Sequence, residues 1–382
     1  MSKFNTNLVH GIPGNENKTG AVNPPIYNST TYAYPDTESV IRWDYARSGN
    51  PTREFLEKLV AQLENGDRGF AFSSGMAAIH AALSIFSPGD HLIIGDQIYG
   101  GTFRLFNQYF RRWNIEFTAV DTRNSAAVKA AIKPNTKAIY FEPFTNPLLH
   151  VTSVRKIVEM AQQNDLLVIV DNTFLTPYLQ QPLNLGADIV IHSATKYLGG
   201  HSDVIAGVVV TKSKELSDKL YFSQNAIGSV LSPEDSNLIR RGIQTLSVRL
   251  DRQLLNTQKI VAFLQKRTDI KKINYPGIPG TSEHAIAKDE CKDFGAVLSF
   301  EVQNIDVVKF VNNLKLFQLA VSLGAVESLA ELPAKMSHAE VSDTELLACG
   351  ISPNLVRLAI GIEDADDLIA DLDQALKLAS NS

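Results

Sequence analysis

Ala187-Asp188-Ile189-Val190-Ile191-His192-Ser193-Ala194-Thr195-Lys196-Tyr197-Leu198-Gly199-Gly200 holds a strand and its exit. Ile189 to Ile191 has the length and β-branched content of a buried strand. Within three residues the character changes. Two hydroxyls, Ser193 and Thr195, stand beside Lys196, and a Gly-Gly pair follows. A lysine leaving a buried strand is costly to desolvate while charged. It must be paired, carry a lowered pKa, or be used covalently. Bonding to a carbonyl carbon is the covalent use, and neighbouring hydroxyls are natural phosphate ligands.

Upstream, Leu166-Leu167-Val168-Ile169-Val170-Asp171-Asn172-Thr173-Phe174 is a second apolar run, and it ends in a carboxylate. An acid at the carboxyl end of one strand and a lysine at the end of the next would face one crevice of a doubly wound sheet. Pyridoxal phosphate asks for this pair: the lysine holds the aldehyde carbon, and the carboxylate keeps the pyridine nitrogen protonated so that the ring accepts electrons. The plainer alternative is an ion pair between Asp171 and Lys196 at a sheet edge. The Ser-x-Thr-Lys context favours the cofactor.

The chain has 382 residues, 44% hydrophobic and 20% charged, enough for two domains and a sizeable core. A net charge of −5 gives no basic footprint for nucleic acid. The two cysteines, Cys291 and Cys349, are too few for a disulfide framework and form no metal-type cluster, so no metal site is expected. Met1-Ser2-Lys3-Phe4-Asn5-Thr6 lacks an apolar leader core, and no run approaches a membrane span. The expectation is a cytoplasmic protein with no membrane partner.

Residues 1–50 read as an irregular, extended arm, rich in Gly11, Pro13, Gly14, Pro24, Pro25 and Pro35. Within it, Tyr45 and Arg47 lie two apart, on one side of an extended segment, and both can donate to a phosphate. Helical spacing at Phe55, Leu56, Leu59, Val60 and Leu63 opens a globular domain over 51–240. Phe70-Ala71-Phe72-Ser73-Ser74-Gly75-Met76-Ala77-Ala78-Ile79-His80 reads as strand, turn and helix, whose first amides around Ser74, Gly75 and Met76 form an anion site; a tight turn is the alternative. Tyr99 leaves the strand His91–Gly95 beside Gly100 and Gly101, placed to stack on a flat cofactor or simply half-buried. Strands at 116–120, 138–141 and 167–170 alternate with helices at 126–132 and 154–161, which implies a mainly parallel sheet covered on both faces. Asn146, in the loop Glu142–Pro147, can hydrogen-bond a ligand or mark a turn. A strand at 204–211 and a long helical stretch at 234–266 lead to an α+β domain over 241–382. There Arg357 interrupts Leu355–Ile360: a bidentate grip for a carboxylate, or an arginine facing solvent.

Taken together, these motifs resemble the Cys/Met metabolism (trans-sulfuration) family of pyridoxal-phosphate enzymes almost end to end. The matching stretches are 20–22, 45–53, 73–77, 99–102, 171–174, 192–202, 322–329 and 355–363. The resemblance implies the α/β PLP-dependent transferase-like fold type I: a mainly parallel, seven-stranded-type sheet with a smaller C-terminal α+β domain. It implies a homotetramer with shared active sites. Lys196 then corresponds to the Schiff-base lysine, Asp171 to the pyridinium partner and Tyr99 to the stacking ring. Ser74, Gly75, Met76, Thr173, Ser193 and Thr195 hold the cofactor, while Tyr45 and Arg47 reach the phosphate from a neighbouring subunit. Arg357 takes the substrate carboxylate, with Asn146, Val321 and Ser322 nearby.

Two positions depart from the family pattern. The loop reads Glu142-Pro143-Phe144-Thr145-Asn146-Pro147 where the family often has Glu-Thr-Pro-Ser/Thr-Asn-Pro. Val321 replaces a Glu frequent before Ser-Leu-Gly among enzymes of γ-substituted substrates, as in methionine γ-lyases, although Gly101 stands where those carry Cys. The implied activity is a cystathionine lyase acting on an amino-acid thioether, by γ-elimination with β-elimination alongside. The alternatives are methionine γ-lyase, cystathionine γ-synthase or O-acyl-homoserine sulfhydrylase, an aminotransferase, and a non-catalytic binding protein on the same scaffold.

Overall fold

The structure is a computed structural model that describes residues 3–11, 20–339 and 343–380. Pro13 and Gly14 of the expected arm lie outside the described residues. The chain divides into two compact units, the first within Met1–Gly95, Gly101–Phe141 and Val154–Leu246, the second within Asp96–Gly100, Glu142–Ser153 and Ser247–Ser382.

The first unit is built on seven strands: β1 (Arg68–Phe72), β2 (His91–Gly95), β3 (Glu116–Val120), β4 (Thr136–Phe141), β5 (Leu167–Asp171), β6 (Ile189–His192) and β7 (Gly207–Thr211). Their order is β1-β7-β6-β5-β4-β2-β3. Neighbours from β6 to β3 pair parallel, and only β7 runs against both of its neighbours. Every residue of β2, β6 and β7 is buried, which is why Leu92–Ile94, Ile189–Ile191 and Val208–Val210 read as apolar runs. Asp171 pairs with Ile191 in the β5–β6 register, so the chain leaves both strands at one edge of the sheet.

Helices α1 (Phe4–His10), α2 (Pro51–Glu64) and α3 (Gly75–Leu83) precede the central strands. The irregular arm expected over 1–50 therefore needs correction at α1, a short helix that buries Leu8. From residue 20 to Asn50 the arm forms one isolated bridge, Thr31 to Tyr45. The helix Lys214–Ile227 escaped the sequence reading because its apolar positions are divided: Leu216 and Leu220 are buried, while Phe222 and Ile227 are exposed. The single helical stretch expected at 234–266 is two helices, Pro233–Gln244 and Leu246–Leu264, separated at Thr245 where the backbone turns out of the helical region.

The second unit carries β8 (Ile270–Asn274), β9 (Val297–Val302), β10 (Gln318–Leu319), β11 (Leu329–Glu331) and β12 (Leu355–Ala359), in the order β10-β11-β12-β9-β8. All neighbours pair antiparallel except β10 with β11. The buried face of Leu298, Phe300, Val356 and Leu358 packs with Phe310, Leu368 and Leu372 of the helices Val307–Asn312 and Ala365–Ala379. Helix against one face of an antiparallel sheet is the α+β arrangement expected here. Among the described residues no helix is long and apolar enough to cross a membrane.

Candidate active site

In the first unit, Asp171 closes β5 and is buried. Three donors surround its carboxylate: the Thr173 amide at 3.1 Å and hydroxyl at 2.5 Å on Oδ1, and the Tyr140 hydroxyl at 3.3 Å on Oδ2. Burial pushes the Asp171 carboxyl up from its ordinary range, against the pull of Thr173, the charge of His192 and the Tyr140 hydroxyl. Thr173 Oγ1 also accepts the Ser193 amide at 2.8 Å. One hydroxyl thus ties the turn after β5 to the loop after β6.

That loop carries Lys196, half-buried, in a tight turn. The Lys196 amide donates to Ser193 O at 3.1 Å, and the Gly200 amide donates to Lys196 O at 2.8 Å. Gly200 needs its glycine, because its φ is +75°. Gly242, from the helix Pro233–Gln244, comes so near the Leu198 and Gly199 carbonyls that no side chain fits there. The lysine loop is therefore clamped rather than loose.

Ser74 caps α3, its Oγ accepting the Ala77 amide at 3.0 Å. The first amides of a helix have no intrahelical acceptor and favour an anion. A Cβ on Gly75 would lie 2.9 Å from Ser193 Oγ, so glycine lets the helix start and the lysine loop share a cradle. The Thr195 hydroxyl donates to Ala206 O at 3.1 Å and accepts the Ala206 amide at 3.0 Å, which commits its hydrogen within the chain. Met76 is half-buried in the first turn of α3. On the arm, Tyr45 and Arg47 are exposed, the guanidinium 5.3 Å from the ring centroid, with Arg47 Nε donating to Asn225 Oδ1 at 3.4 Å.

The second unit holds the remaining candidates. Tyr99 is exposed, and its amide donates to buried Glu142 at 2.7 Å. Arg357 is 3% exposed, so the solvent-facing alternative fails. Its Nη1 lies 2.9 Å from Glu331 Oε1 and donates to Asn146 Oδ1 at 3.2 Å; its Nη2 donates to Ser322 O at 2.5 Å. Ser322 takes a φ of +95°, unusual for a residue with a side chain, and that backbone presents its carbonyl to the arginine. Val321 beside it is exposed.

Several residues of these clusters were missed from sequence. Glu64, in the last turn of α2, lies 2.7 Å from His192 Nε2, both deeply buried. Burial pushes the Glu64 carboxyl up while His192 draws it down. Nothing in a helix-end glutamate signals this. Glu331 was legible, since it interrupts the apolar run Leu329–Leu332 as Arg357 interrupts Leu355–Ile360.

The residues of the first unit fit pyridoxal phosphate: a glycine-lined cradle at a helix start, a buried carboxylate at a strand end, and a half-buried lysine on the neighbouring loop. The comparisons agree. The family model for Cys/Met metabolism PLP-dependent enzyme matches residues 5–377. Cystathionine beta-lyase of Lactococcus lactis subsp. cremoris (strain MG1363) is 50% identical over 378 residues, covering 99% of this chain and 100% of the relative. Cystathionine gamma-lyase of Bacillus subtilis (strain 168) is 49% identical over 376 residues, covering 98% and 99%. Among solved structures, cystathionine gamma-lyase from Lactobacillus plantarum complexed with L-serine superposes with a TM-score of 0.96 at 49% identity, covering 99% of each chain.

Proposed function

Because the chain belongs to the Cys/Met metabolism family of pyridoxal-phosphate-dependent enzymes, we propose that it is a carbon–sulfur lyase that cleaves L-cystathionine. With one water consumed, γ-elimination gives cysteine, 2-oxobutanoate and ammonia; β-elimination gives homocysteine, pyruvate and ammonia. The observation that carries the reading is the buried carboxylate of Asp171 on the strand next to the one that delivers Lys196, in a chain about half identical to both named lyases.

Bound pyridoxal phosphate supplies a conjugated ring that accepts the electron pair left on the substrate α-carbon when its proton departs. Asp171 holds the proton on the ring nitrogen. Its buried, oriented carboxylate answers a cationic partner better than water does. Lys196 anchors the cofactor at rest and takes the α-proton on Nζ during turnover. The Gly75 and Met76 amides, with the Ser193 hydroxyl, hold the phosphate, and Ser74 keeps the helix start open to it. Thr173 fixes Asp171. Thr195 braces the lysine loop through Ala206 and offers the phosphate a hydroxyl only by giving up that bond. Tyr99 stacks on the ring and assists proton transfer near the sulfur. Arg357, with Asn146 and Ser322, takes the substrate carboxylate. Val321 leaves the substrate entrance without a carboxylate, which supports β- as well as γ-elimination.

We further infer a homotetramer in which the arm 1–50 carries Tyr45 and Arg47 to a neighbouring subunit's phosphate, 51–240 holds the cofactor, and 241–382 contributes the substrate grip. The exposure of Tyr45, Val22, Ile26 and Val40 supports an arm that is covered by a second copy. The proposed compartment is the cytoplasm.

The test is product analysis. Purified protein incubated with cystathionine should yield 2-oxobutanoate and pyruvate, resolved by chromatography. Cofactor-loaded protein that forms neither would reject the lyase reading. Lys196→Ala should lose both turnover and the visible absorbance band of the bound cofactor.

A further inference from the structure

We propose that Glu331 is a positioning residue whose buried carboxylate orients the guanidinium of Arg357 for its grip on the substrate carboxylate. The inference rests on the role given to Arg357 above. Glu331 and Arg357 face each other across the β11–β12 register. Glu331 is 0% exposed and Arg357 3%, and their charged atoms are 2.9 Å apart. A guanidinium this deep in protein needs a countercharge whether or not an anionic ligand is present.

The pair does more than neutralise. Acceptors from three chain segments hold Arg357 among the described residues: Glu331 on β11, Asn146 Oδ1 and the Ser322 carbonyl. A planar fork fixed at three points has one orientation, and bidentate recognition of a carboxylate depends on that orientation. Only one of the three acceptors is charged, so Glu331 makes the strongest of these contacts.

Glu331 is itself held. The Ser337 hydroxyl donates to Glu331 Oε1 at 2.9 Å, and His338 Nδ1 lies 2.9 Å from the same hydroxyl oxygen. With the hydroxyl hydrogen spent on Glu331, His338 Nδ1 is the donor to Ser337. The chain His338–Ser337–Glu331–Arg357 therefore runs in one donor direction up to the carboxylate. Buried ion pairs contribute little to stability compared with apolar residues of the same volume. The value of this one lies in where it aims the arginine.

The experiment compares two probes on the cofactor-loaded enzyme by calorimetry: L-alanine, and ethylamine, which is the same amine without its carboxylate. The wild type should prefer L-alanine. Glu331→Ala should weaken L-alanine about 100-fold, the cost of a misplaced contact group, and leave ethylamine unchanged. Glu331→Asp should recover part of the loss. Glu331→Gln keeps the shape without the charge and should fall between the two; it carries the same comparison if the alanine variant does not fold. A folded Glu331 variant that binds L-alanine like the wild type overturns the proposal. So does equal loss of both probes, which would mark Glu331 as a support of the fold alone. A wild type with no preference for L-alanine would instead remove the assignment of Arg357, and this proposal with it.

Discussion

A methyl group on the Cα of Gly75 would sit 2.9 Å from Oγ and 3.0 Å from Cβ of Ser193. The start of α3 and the loop after β6 thus close on each other with room for hydrogen alone. Gly75→Ala must push Ser193 aside, and the shared phosphate cradle opens. The Ser74 cap on the Ala77 amide does not involve Gly75, so the helix start should survive. The dissociation constant for pyridoxal phosphate should rise about tenfold or more, equivalent to about 1.4 kcal/mol. Absorbance titration of the cofactor-free protein measures it. An unchanged constant would mean that the two loops do not hold one phosphate.

Asp171→Asn separates stability from chemistry. The buried carboxyl has a folded-state pKa raised above the ordinary value of 3.8, first by burial, with Thr173, His192 and Tyr140 opposing. The folded state therefore binds the proton more tightly than the unfolded chain. The stability Asp171 contributes is full below about pH 4 and is lost as pH rises through the raised folded value. Asparagine removes that loss because its amide does not titrate, and its Oδ1 can still accept from Thr173. Cofactor-free Asp171→Asn should melt no lower than the wild type at pH 8. The loaded enzyme should lose about 1,000-fold in turnover, the scale of one missing electrostatic stabiliser. A variant with normal turnover would strip Asp171 of its role.

The large sheet was legible because its central strands are buried on both faces and carry little but Val, Ile and Leu, as in Leu167–Val170 and Ile189–Ile191. Lys196, Asp171 and Arg357 stood out for the complementary reason: each is a charge at the end or in the middle of such a run. Glu331 obeys the same rule but was overlooked, its run being only Leu329–Leu332. Glu64 could not be found this way. Its neighbours on α2 include Leu56, Leu59, Val60 and Leu63 on the apolar face, and a glutamate after them reads as surface. Only the strand that brings His192 to it makes it an interior group. Helix α1 stayed hidden because seven residues with Asn5 and Asn7 among them have little helical preference, and burial of Leu8 supplies the rest.

His91 gives the fold an acid-sensitive point outside the candidate site. Its ring is fully buried between Thr136 Oγ1 and Thr118 Oγ1, each 2.8 Å from a ring nitrogen. Burial pushes its pKa below 6.5; the Lys133 charge lowers it further and Glu116 opposes. The unfolded chain takes up the proton first as pH falls. The His91 contribution is thus full above about pH 6.5 and declines as pH drops toward the folded value. His91→Gln removes the proton linkage, so the slope of unfolding free energy between pH 6.5 and 5 should flatten. His80, also pushed down by burial, keeps some slope in the variant. Denaturant titrations at several pH values measure both slopes, and parallel slopes would exclude His91 as the source.

Asn50 joins the arm to the large sheet unit with the two ends of one amide. Its Oδ1 accepts the Thr52 and Arg53 amides at 2.9 and 3.1 Å, capping α2, and its Nδ2 donates to Tyr27 O at 2.8 Å and the Tyr32 hydroxyl at 3.1 Å. Asn50→Ala loses both functions, and the cap alone is worth about 1–2 kcal/mol. Asn50→Asp keeps the capping oxygen and its favourable charge at a helix start, but cannot donate to Tyr27 or Tyr32. The alanine variant should therefore be destabilised by about 1–2 kcal/mol. Asn50 is 1% exposed, so aspartate sets a charged acceptor against Tyr27 O in a buried site; this variant should be destabilised at least as much as alanine, and its arm, between residues 20 and 49, cut faster by protease. Arg53 still holds the turn at its far end, donating to Ala46 O at 2.7 Å and Arg47 O at 3.1 Å, so cleavage should begin before residue 44. An aspartate variant as stable as the wild type would show that the Nδ2 contacts to the arm contribute nothing to this junction.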